Sequence, residues 1–284
     1  MGSRRSTPLV SAEELAELLT HSKPASTVLD VRWQVSAGGD RHAYLEGHIP
    51  GAVFVDLDQQ LADPPSRRGR HPLPSAERFT AGMRAAGVCD SHPVIVYDES
   101  TSMAAARAWW LLRYFGHPEV AVLDGGFAAW VAAGRPVQTE IPPSKPGDFI
   151  GRPGGMPIVE ADDVGEVAAR GVLIDARAHE RFRGLVEPID PVAGHIPGAV
   201  NRPTSENVGS DGRLLEPSVL SDAFEGLGVR DDLPIAAYCG SGVTAAHEVL
   251  ALELAGYHGA LYPGSWSEWI DDPHRPVAKE PHGR

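Results

Sequence analysis

Cysteine is scarce in this chain: Cys89 and Cys239 are the only two in 284 residues. They could pair in principle, but two thiols in so long a chain do not make a disulfide framework. Neither stands in a Cys-x-x-Cys pair of the zinc or dithiol type. A reducing, cytoplasmic setting is therefore expected. Long hydrophobic runs are missing as well. None approaches the roughly 18 apolar residues of a membrane-spanning helix. The opening segment Met1 to Pro8 has two arginines with no apolar stretch behind them, which is not the pattern of a secretory signal. Positive charge is in deficit, with 25 Lys+Arg against 38 Asp+Glu and a net charge of −13. That balance argues against nucleic-acid and anionic-membrane partners, and any anionic ligand must meet a local positive site. The 12 histidines fall in no His-Glu-x-x-His or tight His/Asp cluster, so no metal site is expected.

What is present is a globular composition, 42% hydrophobic and 22% charged, with 31 glycines and 25 prolines. It implies about two domains built of short elements and many turns. The chain is also written twice. Leu29-Asp30-Val31-Arg32 leads to Gly47-His48-Ile49-Pro50-Gly51-Ala52-Val53, and Ile174-Asp175-Ala176-Arg177 leads to Gly194-His195-Ile196-Pro197-Gly198-Ala199-Val200. Pro93 to Asp98 answers Pro234 to Cys239, Gly125 to Trp130 answers Gly264 to Trp269, and Arg135-Pro136-Val137 answers Arg275-Pro276-Val277. Four matches in one order indicate a duplicated domain: 8–140, then a Pro/Gly-rich linker over 141–157, then 158–277.

Within each copy, strands alternate with helices. Ser11 with Glu14 forms a capping box before a helix to Thr20. Strands are expected at Val28–Val31, Ala52–Val55, Val94–Tyr97 and Val120–Leu123, with a helix over Ala104–Phe115. This alternation predicts an α/β fold in each copy, a doubly wound and mainly parallel sheet with helices on both faces. Ligands then sit beyond the carboxyl ends of the strands.

One segment places a nucleophile there. Ile235 to Tyr238 reads as a buried strand, Cys239-Gly240-Ser241-Gly242-Val243-Thr244 as a glycine-containing loop, and Thr244 to Leu254 as a helix. Such a loop turns backbone N–H groups inward as an anion nest at a helix N-terminus, a setting that favours a thiolate. Cys89, in a turn beside Asp90, has no such setting.

The loop Cys239-Gly240-Ser241-Gly242-Val243-Thr244-Ala245 resembles the active-site loop of the two-domain rhodanese family, nearer its 3-mercaptopyruvate than its thiosulfate sulfurtransferases. The Gly-His-Ile-Pro-Gly-Ala segments, Ala108-Trp109-Trp110, Leu123-Asp124-Gly125-Gly126 and Gly264-Ser265-Trp266 resemble that family too. The resemblance implies two tandem rhodanese-like domains, with only the second catalytic; Asp98 stands where the first would carry its nucleophile. It implies sulfur transfer from thiosulfate or 3-mercaptopyruvate through a persulfide on Cys239, without a cofactor. The acceptor would be cyanide, a thiol or a thioredoxin-like protein.

By the same resemblance, Arg181 binds the anionic donor, and Gly240, Ser241, Gly242, Val243 and Thr244 form the donor loop. Trp33 lines the donor pocket, and Ser241 works in a relay with His48 and Asp40. Against that relay, His195 repeats His48 in the other copy, as a packed histidine would. Arg177 answers Arg32, which favours a structural ion pair. Mercaptopyruvate enzymes carry a second arginine where this chain has Ile189 or Asp190, inside the acidic stretch Leu185 to Pro191. The one basic run, Ser66-Arg67-Arg68-Gly69-Arg70-His71, reads as a solvated loop, with delivery of positive charge to the cleft as the alternative. A cysteine phosphatase would need an arginine at Ala245. A non-catalytic sulfur-carrier or protein-binding module is the remaining alternative to an enzyme.

Overall fold

The computed structural model describes residues 7–21, 26–35, 37–143 and 145–279. Met1 to Ser6 of the opening segment and Ser144 of the linker lie outside these residues. The chain divides into two compact units. One holds the described residues up to Asp63 with Pro74–Met156 and Val208–Leu214; the other holds Pro64–Leu73, Pro157–Asn207 and the described residues from Leu215 onward. Ten residues from the first half of the sequence thus belong to the second unit.

The first unit is built on strands β1 (Leu9–Val10), β2 (Thr27–Asp30), β5 (Val53–Phe54), β6 (Val94–Tyr97) and β7 (Val120–Leu123). They pair in the order β1-β7-β6-β2-β5, all parallel. A two-residue pair, β3 (Trp33–Gln34) and β4 (Gly38–Gly39), is antiparallel. Around them lie α1 (Ala12–His21), α2 (Arg41–Glu46), α3 (Leu57–Gln60), α4 (Ala76–Ala85), α5 (Met103–Tyr114) and α6 (Gly126–Ala132). The capping box is formed: Glu14 N–H donates to Ser11 Oγ at 3.2 Å, and Ser11 N–H to Glu14 Oε2 at 2.9 Å. β6 is buried along its whole length, as the uninterrupted run Val94-Ile95-Val96-Tyr97 requires of a central parallel strand.

The second unit repeats the plan on a smaller scale. Strands β8 (Val172–Asp175), β9 (Val200–Asn201), β10 (Ile235–Tyr238) and β11 (Ala260–Leu261) pair in parallel in the order β11-β10-β8-β9. They are joined by α7 (Val164–Arg170), α8 (His179–Phe182), α9 (Pro217–Gly226), α10 (Thr244–Leu254) and α11 (Ser265–Trp269). A core of Val164, Leu173, Ile196, Ala236, Tyr238, Tyr262 and Trp266 packs here. In both sheets the last residues of the two central strands are in register, Asp30 with Tyr97 and Asp175 with Tyr238. The residue after each tyrosine, Asp98 or Cys239, therefore leaves its sheet at an equivalent point. No described helix is long and apolar enough to cross a membrane.

Candidate active site

Cys239 leaves β10 and is buried, with 2% of its surface exposed. The loop curls back so that Gly242 N–H donates to Cys239 Sγ at 3.1 Å. Gly242 makes this turn at φ +80°, and a Cβ there would overlap the carbonyl oxygen of Pro263. Glycine is thus required twice over, for the left-handed backbone and for the close approach. The loop is anchored from α11: Cys239 N–H donates to Ser265 Oγ at 3.1 Å, and Trp266 and Ser267 N–H donate to the carbonyls of Cys239 and Gly240, each at 3.0 Å. Val243 is buried and Thr244 half-buried where α10 begins.

The matching loop of the first unit fills itself. Asp98 turns its carboxylate inward and accepts N–H from Ser102 at 3.0 Å, Ala104 at 2.9 Å and Ala105 at 3.2 Å. Burial raises its pKa, with those N–H groups acting in opposition. One copy of the loop therefore cradles its own carboxylate and the other a sulfur.

Guanidinium groups face Gly240. A Cβ on Gly240 would stand 2.8 Å from Arg70 Nη2 and 3.5 Å from Arg181 Nη2. Arg181 lies on α8, and its Nη2 donates to Glu187 Oε1 at 2.8 Å and to Asp190 Oδ2 at 3.0 Å. Arg70 comes from the segment Pro64–Leu73 and pairs with the other oxygen of Asp190. Its backbone N–H is held by Ser267 Oγ at 3.1 Å. Burial lowers the Arg70 pKa, while the charge of Cys239 acts in the opposite direction. Beside Arg70, His71 Nδ1 shares a 2.8 Å hydrogen bond with Ser241 Oγ.

Comparison with known proteins places this arrangement in a family. The rhodanese-like domain matches residues 11–133 and 160–272. A probable 3-mercaptopyruvate sulfurtransferase of Pseudomonas aeruginosa is 46% identical over 282 residues, spanning 96% of this chain and 98% of the relative. This chain belongs to the two-domain rhodanese sulfurtransferases. A putative thiosulfate sulfurtransferase of Mycobacterium tuberculosis is 42% identical over 282 residues, spanning 95% of this chain and 96% of its own. The crystal structure of SseA from Escherichia coli, described among 3-mercaptopyruvate sulfotransferases, matches with a TM-score of 0.80 and 37% identity over 92% of this chain and 100% of that one.

Other residues singled out from the sequence of this rhodanese lie as follows. His48 gives its Nδ1 to the Tyr44 carbonyl at 2.8 Å and stacks on the Tyr44 ring at 4.0 Å. His195 repeats both contacts, with the Phe182 carbonyl at 2.7 Å and the Phe182 ring at 3.8 Å. Asp40 caps α2 by accepting Ala43 N–H at 3.0 Å. The two members of the expected relay are thus engaged inside the first unit in packing and capping, and the imidazole hydrogen-bonded to Ser241 is His71. Trp33 donates its indole N–H to Asp58 at 3.0 Å, also within the first unit. Arg177 forms the expected ion pair: Nη2 meets Asp175 at 2.6 Å and the Gly194 carbonyl at 2.7 Å, as Arg32 meets Asp30 and the Gly47 carbonyl, each at 2.7 Å. Burial disfavours the Arg177 charge, yet Asp175 beside it holds its pKa above the ordinary value.

Arg70 and His71 were legible only as a basic run in an acidic chain. Ser66, Arg67 and Arg68 are exposed, as a solvated loop requires, but for the end of the run that reading is corrected: Arg70 and His71 are half-buried and contact Asp190 and Ser241. Cys89 is a free, half-buried thiol whose S–H donates to the Gly87 carbonyl at 3.8 Å. Among the described residues no group of three or more His, Cys, Asp or Glu is placed to hold a metal ion.

Proposed function

We propose that this enzyme moves sulfur from 3-mercaptopyruvate to a thiophilic acceptor through a persulfide on Cys239. The observation that carries the reading is a convergence on one loop. A sulfur that accepts an N–H, two guanidinium groups and a hydroxyl–imidazole pair all meet at Cys239 to Gly242. Arg70 and Arg181 suit the donor carboxylate, because guanidinium forks match carboxylate geometry.

The Cys239 thiolate attacks the donor sulfur. The new S–S bond forms as the C–S bond breaks, and the bonding pair leaves on carbon as the enolate of pyruvate. Ser241 Oγ–H stabilises the enolate oxygen, and the proton of the donor thiol, left on the outer persulfide sulfur, passes by way of His71 to the methylene carbon and completes pyruvate. The persulfide lies within reach of the Gly242 N–H. An acceptor thiolate or cyanide then takes the outer sulfur, as a thiol persulfide or thiocyanate, and returns the Cys239 thiolate. A thioredoxin-like protein would serve as one such thiol. This double displacement is covalent catalysis with ping-pong kinetics and asks for no cofactor. With thiosulfate the same attack would release sulfite, and no proton would be needed.

The test is a donor comparison with cyanide as acceptor. 3-Mercaptopyruvate should give pyruvate and thiocyanate in equal amounts, with a higher kcat/KM than thiosulfate, and Cys239→Ser should abolish both products. A folded wild-type protein that makes neither product from either donor would overturn the reading in favour of a carrier or binding module.

A further inference from the structure

Charge around the donor loop is balanced in this rhodanese. Arg70, Arg177 and Arg181 supply three positive groups, and Asp175, Glu187 and Asp190 supply three negative ones. The carboxylates lie deeper than the two arginines that face Gly240. The Asp190 and Glu187 side chains are 3% and 4% exposed, against 30% for Arg70 and 16% for Arg181. Glu187 is tied to its own loop, accepting the N–H groups of Ile189 and Asp190 at 3.1 Å each. It also reaches Arg177 at 3.4 Å. Asp190 is different, since one oxygen meets Arg70 and the other meets Arg181. It bridges the two guanidinium groups where a bound anion would otherwise sit between them.

We propose that Asp190 sets the charge class of the sulfur donor, acting as a built-in counter-anion that makes the loop select a monoanionic donor over a dianionic one. The inference rests on the reading of Cys239 as nucleophile and of Arg70 and Arg181 as the donor-binding pair. With Asp190 in place, the two arginines keep unused N–H donors for one carboxylate, but their combined charge is already halved. A second negative charge on the donor gains little from the arginines and is repelled by Asp190. Removing that charge should favour a dianion more than a monoanion. The expected ratio is about tenfold, the size of one unit charge several ångströms away in a partly solvated site.

Asp190→Asn is nearly isosteric and keeps an acceptor for one arginine. In this variant kcat/KM for thiosulfate relative to 3-mercaptopyruvate should rise about tenfold at low ionic strength, shrink as salt is added, and return towards wild type in Asp190→Glu. A second readout needs no turnover: protection of Cys239 from iodoacetamide by sulfate, a dianion, and by pyruvate, a monoanion. In the wild type, sulfate should protect no better than pyruvate; in Asp190→Asn it should protect about tenfold better. An unchanged donor ratio in a variant that melts normally overturns the role of Asp190 and leaves sulfur transfer standing. If the wild type transfers no sulfur from either donor, the underlying reading fails, and the protection ratio still decides the charge argument. Should Asp190→Asn fail to fold, the wild-type assay suffices: sulfate protecting ten times better than pyruvate would show that Asp190 does not balance the site.

Discussion

Gly242 and Gly240 lie two residues apart in the cysteine loop, and the same substitution should fail at them for different reasons. At Gly242 the backbone is left-handed, φ +80°, and an added Cβ would overlap the Pro263 carbonyl oxygen with the carbonyl carbon only 3.0 Å away. An alanine in that conformation costs about 1–2 kcal/mol, and overpacking against a fixed backbone costs a further 1–3 kcal/mol or so. A total near 3 kcal/mol corresponds to a fall of roughly 6–12 °C in Tm for a unit of this size. If the loop relaxes instead, the hydrogen bond from Gly242 N–H to Cys239 Sγ is lost. A hydrogen bond to a charged group is worth about 1.5–3 kcal/mol, or about 10- to 150-fold in rate. At Gly240 no such backbone demand exists, and the nearest atoms are the mobile ends of Arg70 and Arg181. Gly240→Ala should therefore melt within about 1–2 °C of wild type while losing about tenfold or more in kcat/KM for an anionic donor. Differential scanning calorimetry gives the melt, and iodoacetamide alkylation of Cys239 gives the state of the loop. A Gly242→Ala protein that melts like wild type and keeps its transfer rate would refute the requirement for the left-handed turn.

Two further outcomes can be measured. His71→Ala should lower kcat with 3-mercaptopyruvate by about 100-fold or more, the usual size of a lost proton-transfer group, and leave thiosulfate turnover within a few-fold, because sulfite leaves without a proton; equal losses with both donors would make His71 a packing residue. Glu248, buried in α10, has its pKa pushed up to about 8 by burial, opposed by Arg202 and by Asn207 Nδ2, which donates to it at 2.7 Å. The folded protein holds this proton more tightly than the unfolded chain. The resulting stabilisation is present below the ordinary carboxyl value of 4.5 and is lost as pH rises through about 8. It is worth at most a few kcal/mol. Tm should thus fall between about pH 4.5 and pH 8 and level off above, and Glu248→Gln should flatten that slope; an identical slope in the variant would refute the assignment.

The four-residue strands of the sheet centres, the duplication and the cysteine loop were legible because local pattern decides them; two-residue strands such as Leu9–Val10, Trp33–Gln34 and Gly38–Gly39 are too short to carry a pattern and were not. Val94 to Tyr97 and Ile235 to Tyr238 are uninterrupted apolar runs before a loop, and both form buried central strands. The helix Thr244–Leu254 has the bounds expected from the sequence, and that over Ala104–Phe115 is displaced by one residue at each end. The symmetry of the repeat also exposed His48 as a packed residue, since His195 makes the same two contacts. Partnership across long stretches of sequence was not legible. Nothing local marks Pro64–Leu73 as part of the unit built by the second half of the chain. The basic run there gives its charge and hydroxyl contact to Asp190 and Ser241, more than 100 residues away. Likewise Ile189 or Asp190 read as the place of a missing arginine. The structure brings Arg70 from another loop and sets it against that carboxylate.

The most direct measurement of the central claim is mass spectrometry of the wild-type protein after 3-mercaptopyruvate is added without an acceptor. The peptide containing Cys239 should carry one extra sulfur, cyanide should remove it as one thiocyanate per chain, and the Cys89 peptide should be unchanged. Sulfur found on Cys89, or steady sulfur transfer with no modified Cys239 at any time, would contradict the account.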